Sequence, residues 1–155
     1  MLTRAHYFMA LLVFFEFTLC VFHAEALTTR SVTSISNDPN EVGSLPYWLL
    51  NGDEGDIIDC SQIAGQVISL TTSLPAITKS YLINGAGIII DGDDTYQAFQ
   101  VASGDVNIKD ITVRKAISKG GNGGHGYSGG GGAVGGGGAL YIHGGVSVTL
   151  TTSSL

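Results

Sequence analysis

Short apolar runs alternate with turn residues along most of the chain. The runs have three to five residues each and are rich in Ile and Val, which fit the half-buried face of a pleated sheet. They lie at 67–70, 81–84, 88–90, 99–101, 106–108, 111–113, 140–142 and 146–150. Gly, Asn and Asp stand between them, and no window of about 11 residues carries the apolar stripe of a helix. The pattern predicts an all-β chain of short strands.

Residues 27–55 are expected to form an N-terminal strand and a capping segment. A run rich in Thr, Ser and Val ends at the turn cluster Asn37-Asp38-Pro39-Asn40. Ser44 can cap a short helix that ends at Asn51, and Pro46 fits the first turn of that helix. A helix placed there can close the open end of a stacked core.

The apolar runs repeat at the distance of one coil of a β-solenoid, whose repeats have roughly 20 residues or more. Val106-Asn107-Ile108 follows Leu82-Ile83 by about one coil, and we expect it to return as Val146-Ser147-Val148. Each coil of such a stack pairs with the next, so three residues per strand are enough. Residues 56–155 are therefore predicted to form a partial parallel β-helix. A sandwich is the competing fold, but it needs longer strands and regular hairpin turns.

A glycine-rich tract interrupts this repeat at residues 120–138, which read GGNGGHGYSGGGGAVGGGG. We interpret the tract as an insertion looped out between two coils, since insertions in repeats map to loops. It satisfies the phosphate-binding pattern G-x-G-x-x-G, but its composition alone produces that match, and no helix is expected after it. It departs from the calcium-binding nonapeptide, because His125 stands where an Asp is needed.

The first 26 residues are predicted to be a secretory signal peptide. Arg4 precedes a mostly apolar run at 9–22, and Ala24 and Ala26 form the small-x-small pattern of a cleavage site. Glu16 interrupts the run, which is also shorter than the ~20 residues that a membrane helix needs. We therefore expect no membrane span after the signal is removed.

The charge and the cysteine content restrict which partners and which disulfides the chain can have. The chain has 7 Lys and Arg against 13 Asp and Glu, a net charge of -6 that argues against a nucleic-acid partner. Removal of the signal leaves Cys60 as the single cysteine, which excludes an internal disulfide framework. We interpret Cys60 as a small buried hydrophobe.

No set of residues points to catalysis, and we predict no catalytic, cofactor-binding or metal-binding residues. Asp91, Asp93 and Asp94 have the carboxylates for a Ca²⁺ site or for sugar cleavage, but an Asp-Gly sequence is typical of a turn. His125 and His143 lack further ligands at the spacing of a zinc site. We interpret them as isolated surface histidines.

Several phrases of the chain resemble the opening coils of right-handed parallel β-helix passenger domains. They are Gly55-Asp56-x-Ile58, Ile68-x-Leu70, Leu74-Pro75-Ala76-Ile77 and Ile83-Asn84-Gly85. Two later phrases are similar to the Gly-Gly-Ala-apolar motif of polymorphic outer membrane proteins, a family of autotransporter-like bacterial surface proteins. They are Gly131-Gly132-Ala133-Val134 and Gly137-Gly138-Ala139-Leu140. The companion Phe-x-x-Asn motif is absent, since Ala102 stands three places after Phe99, and the sequence shows no translocator barrel.

The resemblance implies a truncated, right-handed, pectate-lyase-like β-helix, in which this chain is an N-terminal fragment of a longer passenger. It implies a non-enzymatic, adhesin-like protein that is secreted or held at the bacterial outer membrane or cell surface. Its partner would be a host surface or a carbohydrate. Two alternatives stay open, because fold does not decide function. One is a glycine-rich structural protein. The other is a fragment of a carbohydrate-active enzyme, for which only five side chains are available: Asp91, Asp93, Asp94, Lys109 and Asp110.

Overall fold

The computed structural model describes residues 27–118, 137–151 and 153–155. The predicted signal peptide with Ala24 and Ala26, and the motif residues Gly131, Gly132, Ala133 and Val134, lie outside the described residues. The described strands are β1 (Thr29–Ser31), β2 (Ile57–Asp59), β3 (Val67–Ser69), β4 (Tyr81–Asp91), β5 (Phe99–Val101), β6 (Asp105–Arg114), β7 (Leu140–Ile142) and β8 (Ser147–Thr151). An α-helix, α1 (Leu45–Asn51), and a 3-10 turn (Ser61–Ile63) complete the described elements.

Every strand pair within the described residues is parallel. The strands β1, β2, β4, β6 and β8 are hydrogen-bonded in that order, β3 also pairs with β4, and β5 pairs with β7. Ile57 lies opposite Leu82, which lies opposite Asn107, so these partners follow one another at intervals of 25 residues. The described chain thus consists mostly of strands in parallel sheets with few helices, which confirms the all-β class.

Two predicted strand breaks are wrong. The strand β4 continues through Gly85-Ala86-Gly87, and β6 continues through Asp110. The strands bend at these places instead of ending, because Ala86 and Asp110 adopt positive φ angles of 51° and 56°. The register between β4 and β6 shifts at the same bend, between Asn84 and Ile88. Each of these two strands therefore combines two of the predicted runs, because β4 and β6 pair with each other on both sides of the bend.

The prediction that Val146 takes the position of Val106 in the next coil is also wrong, because the pairing is shifted by two residues. In the structure Val106 lies opposite Val148, and Ile108 lies opposite Leu150. Side chains alternate between the two faces of a strand with a period of two, so a shift of two keeps the same face inward. Val148 accordingly still packs against the core.

The core is built from rows of inward-facing side chains on successive strands. Ile58, Ile83 and Ile108 lie in register on β2, β4 and β6 and are almost completely buried. Burying one such side chain contributes about 1.5–3 kcal/mol. A second row of buried side chains runs across β3, β4 and β6: Ile68, Ile90 and Val113. These rows explain why three-residue strands suffice, since each side chain packs on its counterpart in the next strand.

The helix predicted after Ser44 is present as α1. The Ser44 hydroxyl accepts a hydrogen bond from the backbone N–H of Tyr47 at 3.1 Å, and Pro46 lies in the first turn. Leu49 of this helix is buried in the hydrophobic core. Trp48 donates its indole N–H to the Ser31 carbonyl of β1 at 3.0 Å. The helix therefore covers the outer edge of the first strand.

Candidate functional site

The described half of the predicted family motif, 137–140, lies where the chain rejoins the sheet after the glycine-rich tract. The backbone N–H groups of Ala98 and Phe99 donate to the carbonyls of two consecutive motif residues, Gly138 and Ala139, both at 3.0 Å. The next residue begins β7 directly opposite Phe99 of β5 and packs against the core. The motif thus anchors the returning chain to β5.

At Gly138 the returning chain passes close to the departing one. A Cβ atom there would lie 2.7 Å from the Ala116 carbonyl carbon and 2.9 Å from the Ile117 Cα. Both atoms belong to the backbone that leaves β6 toward the tract, so they cannot move aside as a flexible side chain would. Only glycine fits this crossing without a shift of the backbone.

Both ends of the tract bind to one short segment, 96–99. On the departing side, the Ile117 N–H donates to the Tyr96 carbonyl at 3.0 Å. On the returning side, the Gln97 side-chain amide donates to the Gly137 carbonyl at 2.8 Å, next to the hydrogen bond from Ala98. We call residues 96–99, 116–117 and 137–140 together the insertion base. The base therefore holds residues 116–117 and residues 137–140 close together on segment 96–99.

Side chains from β5 and its neighbours also meet beside the insertion base. The Gln100 amide nitrogen lies 3.2 Å from the His143 Nε2, and the Tyr141 ring meets the His143 ring edge-on at a centroid distance of 5.1 Å. The His143 backbone N–H donates to the Val101 carbonyl at 3.0 Å. The other histidine left after signal removal, His125, lies outside the described residues. His143 therefore takes part in the packing of β5 against β7.

The acidic cluster at 91–94 is a turn that precedes the insertion base. Asp91 accepts a hydrogen bond from the Asp93 backbone N–H at 3.1 Å and one from the Arg114 Nε at 2.8 Å. The backbone hydrogen bond from Asp93, followed by the one from Arg114, holds the pKa of Asp91 below its ordinary value. Asp93 and Asp94 adopt positive φ angles of 51° and 52°. Both Asp91 oxygens are committed to the fold, as the turn interpretation predicts.

The structure does not bring the remaining candidate side chains of an enzyme to Asp91. Lys109 lies opposite Asn84, beside the bend of β4, whereas Asp91 lies opposite Arg114 at the end of β4. Asp110 occupies the bend of β6. In residues 27–118, 137–151 and 153–155, no group of three or more His, Cys, Asp or Glu residues is arranged to hold a metal ion.

Cys60 is buried, and its surroundings make it unreactive. Burial, and then the negative charge of Asp59, raise the pKa of the Cys60 thiol to about 12. The thiol is therefore protonated at neutral pH, as expected for a small hydrophobe in a core.

Comparison with known proteins identified no relative of the chain. No protein-family model matches the chain, and no curated protein or solved structure matches it. Within the described part of the chain, none of the helices has the length and apolar character needed to cross a membrane.

Sequence patterns identified the motif residues of the insertion base but missed the residues of segment 96–99 that bind them. Tyr96 and Gln97 stand between a turn and a three-residue strand, and nothing local marks them as binding partners of a segment that returns some 40 residues later. The one usable signal is that Phe99-Gln100-Val101 needs a strand partner. The sequence leaves open which run supplies that partner.

Proposed function

We propose that the chain forms part of a right-handed parallel β-helix and acts as a rigid, non-enzymatic scaffold. It presents the glycine-rich insertion at the surface of a secreted or outer-membrane-associated bacterial protein, where the insertion contacts a host surface or a carbohydrate. The observation that carries this proposal is the insertion base, in which Ile117 and Gly137 both bind to segment 96–99.

The pairing of the strands supports the β-helical part of the proposal. Successive strands pair in parallel, at an interval of 25 residues from β2 to β4 and from the first half of β4 to β6, and their inner residues form rows across β2, β4 and β6. Parallel strands of one sheet are almost always joined by right-handed crossovers. Polar residues stack in the same way, since the Asn84 amide donates to the Asp59 carboxylate of the preceding strand at 2.7 Å. A stack of this kind tolerates a long insertion between two strands without loss of the rows on either side.

Replacement of residues 121–136 by a short Gly-Ser linker tests the scaffold function. The linker spares every described contact of the insertion base, so the melting temperature should change little. Binding of the fluorescently labelled chain to cultured epithelial cells or to a glycan array should be lost. A variant with the same residues in scrambled order is the matched control for composition and length. Unchanged binding by the linker variant would overturn the proposal.

Hydrolysis or eliminative cleavage of a polysaccharide would favour the enzymatic alternative. The chain is incubated with pectin and other plant and bacterial polysaccharides, and new reducing ends and unsaturated products are measured. Asp93→Ala is the informative variant, because its side chain makes no contact that Asp91 requires and only its backbone N–H holds the turn. Turnover by the wild type that Asp93→Ala abolishes would contradict a non-enzymatic scaffold.

A further inference from the structure

A cavity of about 560 Å³ lies between segment 35–39 and the outer edge of β3. Val67, Ser69, Thr71 and Thr72 form the wall opposite that segment. Its volume falls within the range of roughly 300–1,000 Å³ that is common for ligand sites. No residue that lines the cavity belongs to the insertion base.

The strand β3 turns a free main-chain edge toward this cavity. It bonds to β4 through Gln66, whose carbonyl accepts a hydrogen bond at 2.9 Å, and through Leu70, whose N–H donates one at 2.8 Å. Alternate residues of a strand direct their N–H and C=O groups to opposite edges. The groups of Val67 and Ser69 therefore point away from β4, and no described strand pairs with them there.

The outer edge of β1 is protected, in contrast to that of β3. Trp48 covers the Ser31 carbonyl of β1. After β1 the chain turns away, because the N–H groups of Thr33 and Ser34 donate to the Gly43 carbonyl at 2.8 and 3.2 Å instead of pairing with β3. The strand position next to β3 thus stays open within the described residues.

Asn37 provides a second, independent observation in the wall of the same cavity. Its side chain is nearly buried, and its Oδ1 accepts hydrogen bonds from the backbone N–H groups of Thr71 and Thr72 at 2.8 and 2.9 Å. These two donors determine the orientation of the amide. The Asn37 Nδ2 is buried without any acceptor among the described residues. A buried donor without a partner is unfavourable, so the fold leaves this wall of the cavity incompletely satisfied. The Nδ2 has almost no accessible surface, so a ligand in the cavity does not reach it directly.

We propose that this cavity binds an extended peptide segment of a partner protein, which adds a strand beside β3. Three residues of such a segment span about 10 Å and can exchange main-chain hydrogen bonds with Val67 and Ser69. Asp38 is the charged side chain of the described lining, so a neutral or basic segment fits best. This binding site does not depend on the scaffold function of the insertion.

The observations favour a peptide over a sugar. None of the described lining residues is aromatic, so a sugar ring would have no flat face on which to stack. Two unpaired main-chain positions separated by one residue are the pattern that an adjacent strand satisfies. The same spacing gives no comparable match to the hydroxyl groups of a sugar.

An array of five-residue peptides made of β-branched, small and basic residues provides the first test. The purified full chain is applied to the array, and the strongest binders are resynthesised with and without N-methyl groups on alternate amides. N-methylation removes the peptide N–H donors but keeps the side chains, so it should weaken binding at least about tenfold. Equal binding of both forms, or no binder on the array, would refute added-strand recognition.

Matched variants of Ser69 on β3 locate the site. Ser69→Pro removes a main-chain N–H that the fold itself does not use and should raise the Kd of the peptide about fivefold to tenfold. Ser69→Ala keeps the N–H, removes only the hydroxyl, and should leave the Kd within about twofold. Circular dichroism melting establishes that each variant is folded.

Two outcomes would contradict recognition of an added strand. Ser69→Pro removes both the hydroxyl and the N–H, so equal weakening by Ser69→Ala and Ser69→Pro would show that the ligand binds the hydroxyl and not the backbone. Displacement of the peptide by neutral oligosaccharides at lower concentration than by other peptides would show that the cavity is a sugar site. Either result would overturn the proposal, whether or not the insertion binds cells.

Discussion

Arg30 on β1 donates its Nε–H to the Oδ2 of Asp56, the residue that precedes β2, at 2.6 Å. The Asp56 side chain is 4% exposed, whereas that of Asp53, the second carboxylate on Arg30, is 76% exposed. The guanidinium also lies 5.5 Å from the centre of the Trp48 ring. Arg30 therefore joins the first strand to the segment before the second strand through one buried and one exposed carboxylate, and it contacts the covering helix through the Trp48 ring.

Asp56→Asn should destabilise the fold, because it leaves Arg30 with a neutral partner at the buried position. We expect the free energy of unfolding to fall by about 1–3 kcal/mol. Asp53→Asn is the matched control and should change it by no more than about 0.5 kcal/mol, because that carboxylate is exposed. Urea denaturation followed by tryptophan fluorescence measures both. Equal effects of the two substitutions would contradict the role of the buried pair.

The stability of the chain should fall in acid. Burial acts to raise the pKa of Asp56. The hydrogen bonds from Arg30 and from the Asp53 backbone act to lower it and together outweigh burial, so the pKa lies below its ordinary value. The pKa of Asp91 is lowered in the folded state as well. The unfolded chain then binds more protons, so the stabilisation is present above an unfolded pKa of about 3.9 and is lost as the pH falls through the folded value.

A melting series between about pH 7 and pH 2 measures this loss. The slope of stability against pH should be smaller in Asp56→Asn, which cannot take up that proton. A slope identical to that of the wild type would show that Asp56 does not contribute to the acid sensitivity.

Gly138→Ala should disturb the insertion base, since the added methyl group would meet the backbone at Ala116 and Ile117. The expected loss of stability is about 1–3 kcal/mol, as for overpacking elsewhere in proteins. Gly144→Ala is the matched control, because a Cβ at that position has no atom within 4 Å. Thermal melting compares the two variants. Gly138→Ala with the stability of the control would contradict the close crossing.

Ile83→Ala should cost about 2–5 kcal/mol, because Ile83 is fully buried in the row between Ile58 and Ile108. Leu82→Ala is the neighbouring control on the outer face of the same strand, where Leu82 is 40% exposed. Its cost should stay below about 1 kcal/mol. Chemical denaturation of both variants tests the inward and outward assignment, and a reversed order of the two losses would contradict it.

The signal peptide predicted from the sequence leads to a test of processing. Expressed in a secreting bacterial host, the exported chain should begin at Leu27, which intact-mass spectrometry detects directly. Ala26→Tyr places a bulky residue at the cleavage position and should leave the precursor uncleaved. Export of a chain that retains Met1, or normal processing of Ala26→Tyr, would contradict the predicted cleavage site.

Local features of this protein were predictable from the sequence by itself. The apolar runs mark most of the strands, Ser44 and Pro46 mark the start of α1, and the Asp91–Asp94 turn follows from Asp-Gly chemistry. These features depend on neighbouring residues, because alternation, capping and turn formation act over only a few positions of the chain.

Only the tertiary structure decided how these pieces meet. It joined the runs on either side of Asp110 into one strand, paired Val106 with Val148, and brought Gly138 against Ala116. It also placed Asn37 beside the open edge of β3, although the sequence marks Asn37 only as part of a turn. The physical reason is that each of these relationships is a pairing or close approach between distant segments, and its free energy depends on all the strands between them.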